Sequence, residues 1–442
     1  MPASSGGPKV ESARAEYAMP GPYPGRVVEV HHPAAVSREN HIDRTTVDAM
    51  VDRGMAELTG TDPGDIKAAW GRFFTRDDVV GIKVNPVGRK PLSGESGRVT
   101  GAAGAISNFE LIVKVVRCLR ELGIPPQNIL LFERYATEFI EAGYADFVMS
   151  ELPGVRWFAS SAGFSPGQLD VSGFDDNRNL LSVEAARHVA GYDPDVFVTM
   201  GFCQPDHSKK DDRRFRSHLS AIVTRLCSKI INLPVLKDHR SAGVTLALKN
   251  MSHGMNNNVA RSHLANISHG FDGASEQISG PNQCNTFIPA AASQHALRKK
   301  ATLHILDGLI GVYEGGPGSW NRTWGTWRAN RLFFSTDPVA LDHVGWDAID
   351  AKRAAMGWPA VDRMGWSFWT PASATAAALT PLASASAMQS AILTSASENL
   401  SGGRASEVFN ERQPEHIILA GELGLGRFAR DEIFHRRIDL HG

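Results

Sequence analysis

Short apolar runs alternate with amphipathic helical stretches along most of the chain. Val79–Val84 reads VVGIKV, a helical stripe follows over residues 109–119, and Ile129–Phe132 begins the next apolar run. Strand, helix and strand in this order form a βαβ unit, in which the two strands are parallel. The pattern therefore predicts an α/β fold with mainly parallel sheets, flanking helices and long active-site loops.

The second half of the chain continues the alternation. Further strands are predicted at residues 195–200, 230–236, 303–306 and 332–335, and helices at residues 215–225 and 243–251. Ser107 and Glu110 form a capping-box pattern before the helical stripe at residues 109–119. Asp337 stands directly before Pro338, where a carboxylate is typical of a helix cap.

The composition along the chain predicts three segments. Residues 1–25, with several Pro and Gly, are predicted to form a flexible N-terminal arm. Residues 26–190 form a first α/β unit, and residues 191–442 a second one with an Ala/Ser-rich helical insertion near 372–397. The loop between residues 85 and 107 is longer than most connections, and such loops are generally functional or disordered.

Polar side chains are densest around one predicted junction between a strand and a helix. The segment Ile231–Gly254 carries Lys237, Asp238, His239, Lys249, Asn250 and His253. In open α/β sheets, ligands bind beyond the carboxyl ends of the strands, so we expect the first three to face a crevice. Positions four apart share a helix face, which places Lys249 beside His253. Lysines and imidazoles together suit acid-base chemistry on an anionic substrate.

Histidine is abundant, and this raises the question of a metal. Nine of the 16 histidines lie between His188 and His304. If the strands at 195–200 and 230–236 are parallel neighbours, the loops after them emerge at one sheet edge. Asp206 and His207 would then meet the polar groups after the second strand. The candidate ligands for a divalent metal ion are His207, His239, His253 and Asp206.

Charge and cysteine content exclude several classes of protein. The chain has 442 residues with 46 basic and 47 acidic side chains and no basic block, which argues against a nucleic-acid partner. Its four cysteines lack C-x-x-C spacing, so no iron-sulfur cluster is expected. No apolar run is long enough for a membrane span and the first residues do not resemble a signal peptide. The sequence predicts a soluble cytoplasmic protein, or a periplasmic one if an export signal has been removed.

An ordered set of motifs gives the chain a family resemblance. The motifs are IKVN, LRELGI, NLPVLKDH, GVTLALKN, ILDGLIGVYEGGPG, STDPVALD and AGELGLG. From about Val27 to Gly426 the chain resembles the bacterial and archaeal family called domain of unknown function 362. The resemblance nominates Lys83, Asn85, Lys237, His239, Lys249, Asn250, Asp307, Asp337 and Asp342, but it implies no settled reaction. The ferredoxin-like cysteine clusters and twin-arginine signal of some relatives are not found here.

We expect an enzyme that acts on a small or medium oxygenated anionic substrate, with a lyase, isomerase or hydrolase reaction left open. The predicted catalytic residues are Lys237, His239 and His207, and the predicted substrate-binding residues are Lys83, Asn85, Lys249, Asn250 and Asp307. Preorganised cations stabilise developing negative charge most strongly where water is excluded. Two alternatives remain: a protein that binds an anionic ligand without turnover, and an interaction protein whose apparent site is structural, with the lysines paired to Asp307 or Asp342. Oligomerisation is left open.

Overall fold

The computed structural model describes residues 18–87, 105–165, 167–175, 177–203, 207–208, 210–239, 241–262, 277–278, 284–318, 324–363 and 414–441. Its elements form three layers, with one large sheet between two layers of helices. The predicted Ala/Ser-rich insertion at 372–397 and most of the glycine-rich loop between residues 85 and 107 lie outside the described residues.

The helices and strands follow one another in an α/β order. In the first part are β1 (Arg26–His31), α1 (Arg44–Thr59), α2 (Ile66–Trp70), β2 (Val80–Lys83), α3 (Phe109–Glu121), β3 (Ile129–Tyr135), α4 (Ala136–Glu141), α5 (Tyr144–Glu151), β4 (Arg156–Ser161) and α6 (Val183–Ala186). Then come β5 (Tyr192–Thr199), β6 (Phe202–Cys203), β7 (Arg216–Ser220), β8 (Lys229–Asn232), β9 (Val235–His239), β10 (Gly243–Val244), α7 (Leu246–Ser252) and β11 (Gln277–Ile278). The last are α8 (Cys284–Ala292), α9 (His295–Lys300), β12 (Ala301–Glu314), β13 (Gly325–Ser335), α10 (Pro338–Ala355), α11 (Glu415–Glu422) and β14 (Phe434–Asp439).

The central sheet has ten strands and mixed direction. Its order is β14-β1-β13-β12-β8-β2-β3-β4, with β9 also paired to β12 and β10 paired to β9. The strands from β12 through β8, β2 and β3 to β4 are parallel, whereas β13 is antiparallel to both β12 and β1. The predicted α/β class with a mainly parallel sheet is confirmed. Both predicted α/β units contribute strands to this sheet.

Two hydrophobic cores lie on the two faces of the sheet. Because side chains alternate along a strand, Leu131 of β3 joins one core while its neighbours Leu130 and Phe132 join the other. Helices α1 and α3 cover the first face, and α7, α8 and α10 cover the second. Strands buried on both faces are the reason that the sequence shows continuous apolar runs rather than alternation.

A buried carboxylate fastens the two ends of the described chain to α10. Asp337 caps α10 by accepting from the N–H groups of Val339 (3.0 Å) and Ala340 (2.9 Å), which confirms the predicted cap. It also accepts from the N–H groups of Gly25 and Arg427, each at 2.8 Å. The segment just before β1, the end of the predicted flexible arm, is therefore packed against the body of the protein.

The predicted helix at residues 215–225 is wrong. β7 occupies Arg216–Ser220, and only Ile222–Leu226 is helical, as a single π-type turn. β7 pairs antiparallel with β5 in a separate two-stranded sheet, so β5 does not belong to the parallel sheet. The argument that brought His207 to the edge of that sheet through β5 is wrong for the same reason.

The predicted strand at residues 230–236 is two strands. Leu233 and Pro234 separate β8 from β9, and the carbonyl oxygen of Pro234 accepts from the N–H of Asp307 at 2.8 Å. A proline has no N–H to donate to a strand ladder, so β8 ends before it. Lys237 and His239 consequently lie inside strand β9, not in the loop after a strand.

None of the described helices combines the length and the apolar character that crossing a membrane requires.

Candidate functional site

A buried ion pair stands at the carboxyl end of the parallel strands. Lys83 is the last residue of β2, and Glu133 lies near the end of the neighbouring strand β3. The Lys83 Nζ lies 2.5 Å from Glu133 Oε2 and also donates to the carbonyl oxygen of Val84 at 2.7 Å. Lys83 is completely buried and Glu133 almost so. The predicted substrate-binding residue Lys83 is therefore neutralised by Glu133, a carboxylate that was not among the predicted site residues.

Three asparagines link this pair to the helix α7. Asn250 of α7 accepts through Oδ1 from Lys83 (3.3 Å) and from the side-chain amide of Asn85 (3.0 Å). Its own amide donates to Asn232 Oδ1 at 2.8 Å, at the end of β8. Asn232 is paired with Lys83 in the register of β2 and β8. The predicted residues Lys83, Asn85 and Asn250 thus lie together in one buried network.

Lys237 joins the network from β9. Its Nζ donates to Asn85 Oδ1 at 2.8 Å and to the carbonyl oxygen of Val87, so both acceptors are neutral. Burial and, to a smaller extent, the nearby charge of Lys249 lower the pKa of Lys237 to about 7 against the opposing effect of Glu133. A fully buried ammonium held by neutral oxygens therefore exchanges its proton near neutral pH.

Lys249 lies one residue before Asn250 on α7. Burial lowers its pKa to about 8, with the charge of Arg134 acting in the same direction and Cys284 opposing. Asp342 fixes the start of α7 by accepting from the N–H groups of Ala247 (2.7 Å) and Leu248 (2.9 Å). Asp342 therefore has a capping contact, and no lysine pairs with it within the described residues, so the predicted pairing of Asp342 with the lysines is wrong there.

Asp307 also contacts backbone and amide groups. One of its oxygens accepts from the N–H (2.8 Å) and the side-chain amide (3.0 Å) of Asn108, directly before α3. The other accepts from the N–H of Leu309 at 3.0 Å. Among the described residues no lysine pairs with Asp307, so this part of the structural alternative is also wrong. Its predicted contact with a substrate stays a prediction.

Two site residues at the end of β3 were missed by the sequence analysis. Besides Glu133, Arg134 donates to the carbonyl oxygen of His253 at 2.7 Å, and its guanidinium lies 4.2 Å from the ring centroid of Tyr135. The run FERY closes the strand that follows the first βαβ helix. Since the carboxyl ends of parallel strands share one edge, this position was the available signal.

His239 is held by the turn that follows it. Its Nδ1 accepts from the N–H groups of Ser241 (3.0 Å) and Ala242 (3.2 Å). An imidazole that accepts at Nδ1 carries its proton at Nε2 when it is neutral. His239, a predicted catalytic residue, is therefore arranged as a proton donor at Nε2.

The other predicted metal ligands have separate contacts. His207 Nε2 lies 3.1 Å from the carbonyl oxygen of Gly167, and His253 lies between the hydroxyls of Ser252 (3.2 Å) and Ser262 (2.7 Å). Asp206 lies outside the described residues. Across the described parts of the chain, no group of three His, Cys, Asp or Glu side chains is arranged to hold a metal ion. The four-residue ligand set therefore stays a prediction.

A glycine allows the buried lysine to approach α7 closely. A Cβ atom at Gly254 would lie 2.7 Å from Lys83 Nζ and 2.2 Å from the carbonyl oxygen of Asn250. Both distances are far below normal contact, so no larger residue fits without moving Lys83 or the end of α7. The glycine of the motif KNMSHG is thus required by the geometry of the ion pair.

Comparison with known proteins gives one family. Residues 197–347 match the model described as "Domain of unknown function (DUF362)". The matched range contains Lys237, His239, Lys249 and Asp307, whereas Lys83 lies before it. No curated protein shows significant similarity to the chain. Over residues 197–347 the match supports the predicted resemblance to this family.

Proposed function

Because the chain contains a domain of the DUF362 family, whose description assigns no reaction, we propose from the site geometry that it is an enzyme for a small oxygenated anionic substrate. The observation that carries this proposal is Lys237, a fully buried ammonium at the carboxyl edge of the sheet with two neutral oxygen acceptors. A purely structural lysine in such a place would normally be paired with a carboxylate, as Lys83 is.

Lys237 is the proposed proton carrier. A group whose pKa is near 7 is present in both protonation states at neutral pH, which is the optimum for general acid-base catalysis. As an ammonium it would stabilise a developing oxyanion or enolate, and as an amine it would remove a proton next to a carbonyl group. The class of reaction, whether lyase, isomerase or hydrolase, depends on which bond of the substrate lies next to the Lys237 nitrogen.

In this proposal the surrounding side chains orient Lys237, add positive charge or donate a proton. Asn85 orients the ammonium by accepting one of its hydrogens, and the Lys83–Glu133 pair holds Asn85 and Asn250 in place. Lys249 and Arg134 supply further positive charge for an anion. His239 would donate a proton from Nε2. A metal-assisted version would use His207, His239, His253 or Asp206, and the protein would then release a divalent ion to a chelator.

A panel of small acids tests the proposal. Lactate, malate, pyruvate, phosphoglycolate and their uncharged amides are added to the purified protein, and the melting temperature is recorded. We expect at least one acid to raise the melting temperature by several degrees, since ligands that bind the native state stabilise it. Binding acids are then incubated with the protein, and products are followed by NMR.

Two variants test whether ligand binding and turnover depend on Lys237. Lys237→Met keeps a side chain of similar length without a charge, and it should abolish the shift and lower turnover by about 100-fold or more. Lys67→Met, at an exposed position of α2, should change neither. Binding that depends on Lys237 without any product would favour the ligand-binding alternative. If the acids still raised the melting temperature of Lys237→Met, both the enzyme proposal and the ligand-binding alternative would be contradicted.

The cellular location belongs to the same proposal. We place the protein in the cytoplasm, or in the periplasm if an export signal has been removed. Fractionation of the native host with an antibody against the protein distinguishes the two.

A further inference from the structure

A second group of buried polar side chains lies around α8, which packs against α7, the helix of Lys249, and against α11. Helix α8 contacts both α7 and α11. It brings Cys284 and Asn285 to this place, and α11 brings His416. None of these residues was nominated by the motifs, and the proton transfer proposed for Lys237 does not use them.

His416 is buried without any hydrogen bond to its ring. Its exposed fraction is 0%, and neither Nδ1 nor Nε2 has a partner in the described part of the chain. The side-chain amide nitrogen of Asn285 is likewise buried and without a partner. The two residues adjoin, because Asn285 Oδ1 accepts from the backbone N–H of His416 at 3.3 Å. Buried polar atoms are nearly always satisfied in native proteins, so three unsatisfied ones at a single place indicate a function.

Lys249 connects this group to the site at β9. Burial and the nearby charge of Lys249 lower the pKa of His416 to about 3, so the imidazole is neutral at physiological pH. The charge of Lys249 also acts on Lys237. Lys249 therefore lies within electrostatic reach of both Lys237 and His416, and its helix α7 contacts α8, which carries Asn285.

We propose that Lys249, Asn285 and His416 form a second binding point for a carboxylate, so that the substrate is a short dicarboxylate whose other end is held at Lys237. The Asn285 amide and the Lys249 ammonium donate to the carboxylate oxygens, and the neutral imidazole adds one N–H donor. Donors prearranged in a dry site recognise such a group strongly. The inference rests on the function proposed for Lys237.

Binding of simple acids tests it. The affinities of malonate, succinate, glutarate and acetate are measured by calorimetry for the wild type, His416→Leu, His416→Gln and Asn285→Asp. At least one dicarboxylate should bind about tenfold or more tightly than acetate, because it has a second charged contact. His416→Leu and Asn285→Asp should each weaken that dicarboxylate about tenfold and leave acetate unchanged. His416→Gln, which retains a donor, should recover part of the loss.

The thermal stability of the variants separates this role from a structural one. Replacing an unsatisfied buried imidazole with leucine should leave the melting temperature unchanged or raise it. Asn285→Asp keeps the oxygen that accepts from His416 and is the second variant if leucine is not tolerated. Equal affinities for acetate and all three dicarboxylates, or unchanged dicarboxylate binding in both variants, would overturn the inference. Failure of the proposed function is different: Lys237→Met would then leave acetate and dicarboxylate binding as in the wild type.

Discussion

Two buried glutamates in the same sheet have cationic partners that differ widely in their exposure to solvent. Glu133, in the parallel half, is paired with Lys83, whose side chain is 0% exposed. Glu29 lies on β1, in the half of the sheet formed by β14, β1 and the antiparallel strand β13, here called the antiparallel half. It lies 2.7 Å from Arg331 and 3.4 Å from Arg437, whose side chains are 39% and 70% exposed. His435 adds a third contact at 2.8 Å. One carboxylate is thus neutralised by a cation that has lost its water, and the other by cations that keep theirs.

The two ion pairs differ in the free-energy cost of removing their charges from water. Hydrated partners hold the pKa of Glu29 below its ordinary value, with the His435 hydrogen bond and Arg331 opposing the effect of burial. At the parallel edge, burial lowers the pKa of Lys83 in spite of Glu133. Desolvating both partners of an ion pair is expensive and is weak support for stability. The parallel edge therefore carries an ion pair with both partners desolvated, whereas the arginine partners of Glu29 remain partly hydrated.

The largest effect is expected from Lys83→Met. It leaves Glu133 buried without its partner, and breaking a buried pair in this way costs roughly 3–5 kcal/mol of unfolding free energy. Urea unfolding at neutral pH measures the change. The double variant Lys83→Met/Glu133→Gln removes both charges and should recover most of the loss. If the single variant were as stable as the wild type, the pair would not be buried as described.

A smaller, pH-dependent effect is expected from Lys237→Met. The pKa of Lys237 is about 7 in the folded protein and 10.5 as its ordinary value. Between these values the unfolded chain binds a proton that the folded protein does not, so stability rises with pH across that window. Below pH 7 both states are protonated, and the cost of burying the charge is present in full.

The methionine variant should therefore be more stable than the wild type near pH 7, and its advantage should shrink as pH rises toward 9.5. The expected change across that range is roughly 2–3 kcal/mol, since one pKa unit corresponds to about 1.4 kcal/mol. Urea unfolding at several pH values measures it, with the exposed Lys67→Met as the control. A parallel pH dependence in wild type and Lys237→Met would show that Lys237 does not lose its proton on folding.

The smallest effect is expected from Arg437→Ala in the antiparallel half. The arginine is 70% exposed, and Glu29 keeps Arg331 and His435 as partners. Exposed ion pairs of this kind contribute about 0–1 kcal/mol, and added salt weakens them further. A loss as large as that from Lys83→Met would remove the contrast between the two halves.

The order of apolar runs was sufficient to predict the α/β class, the parallel βαβ unit and the cap at Asp337. Those features depend on local periodicity and on backbone groups a few residues apart, which a sequence displays directly. The motifs also nominated Lys83, Asn85, Lys237 and Asn250, and the structure places all four in one network.

Only the tertiary structure decided which partners these side chains have. Ser107, predicted to cap α3, instead accepts from the N–H of Asn85 and donates to the carbonyl oxygen of Leu233, 126 positions away. Glu133 meets Lys83 because β2 and β3 are neighbours, and β7 is a strand because β5 lies beside it. Such pairings depend on strand order and burial, and neither quantity is contained in the spacing of residues along the chain.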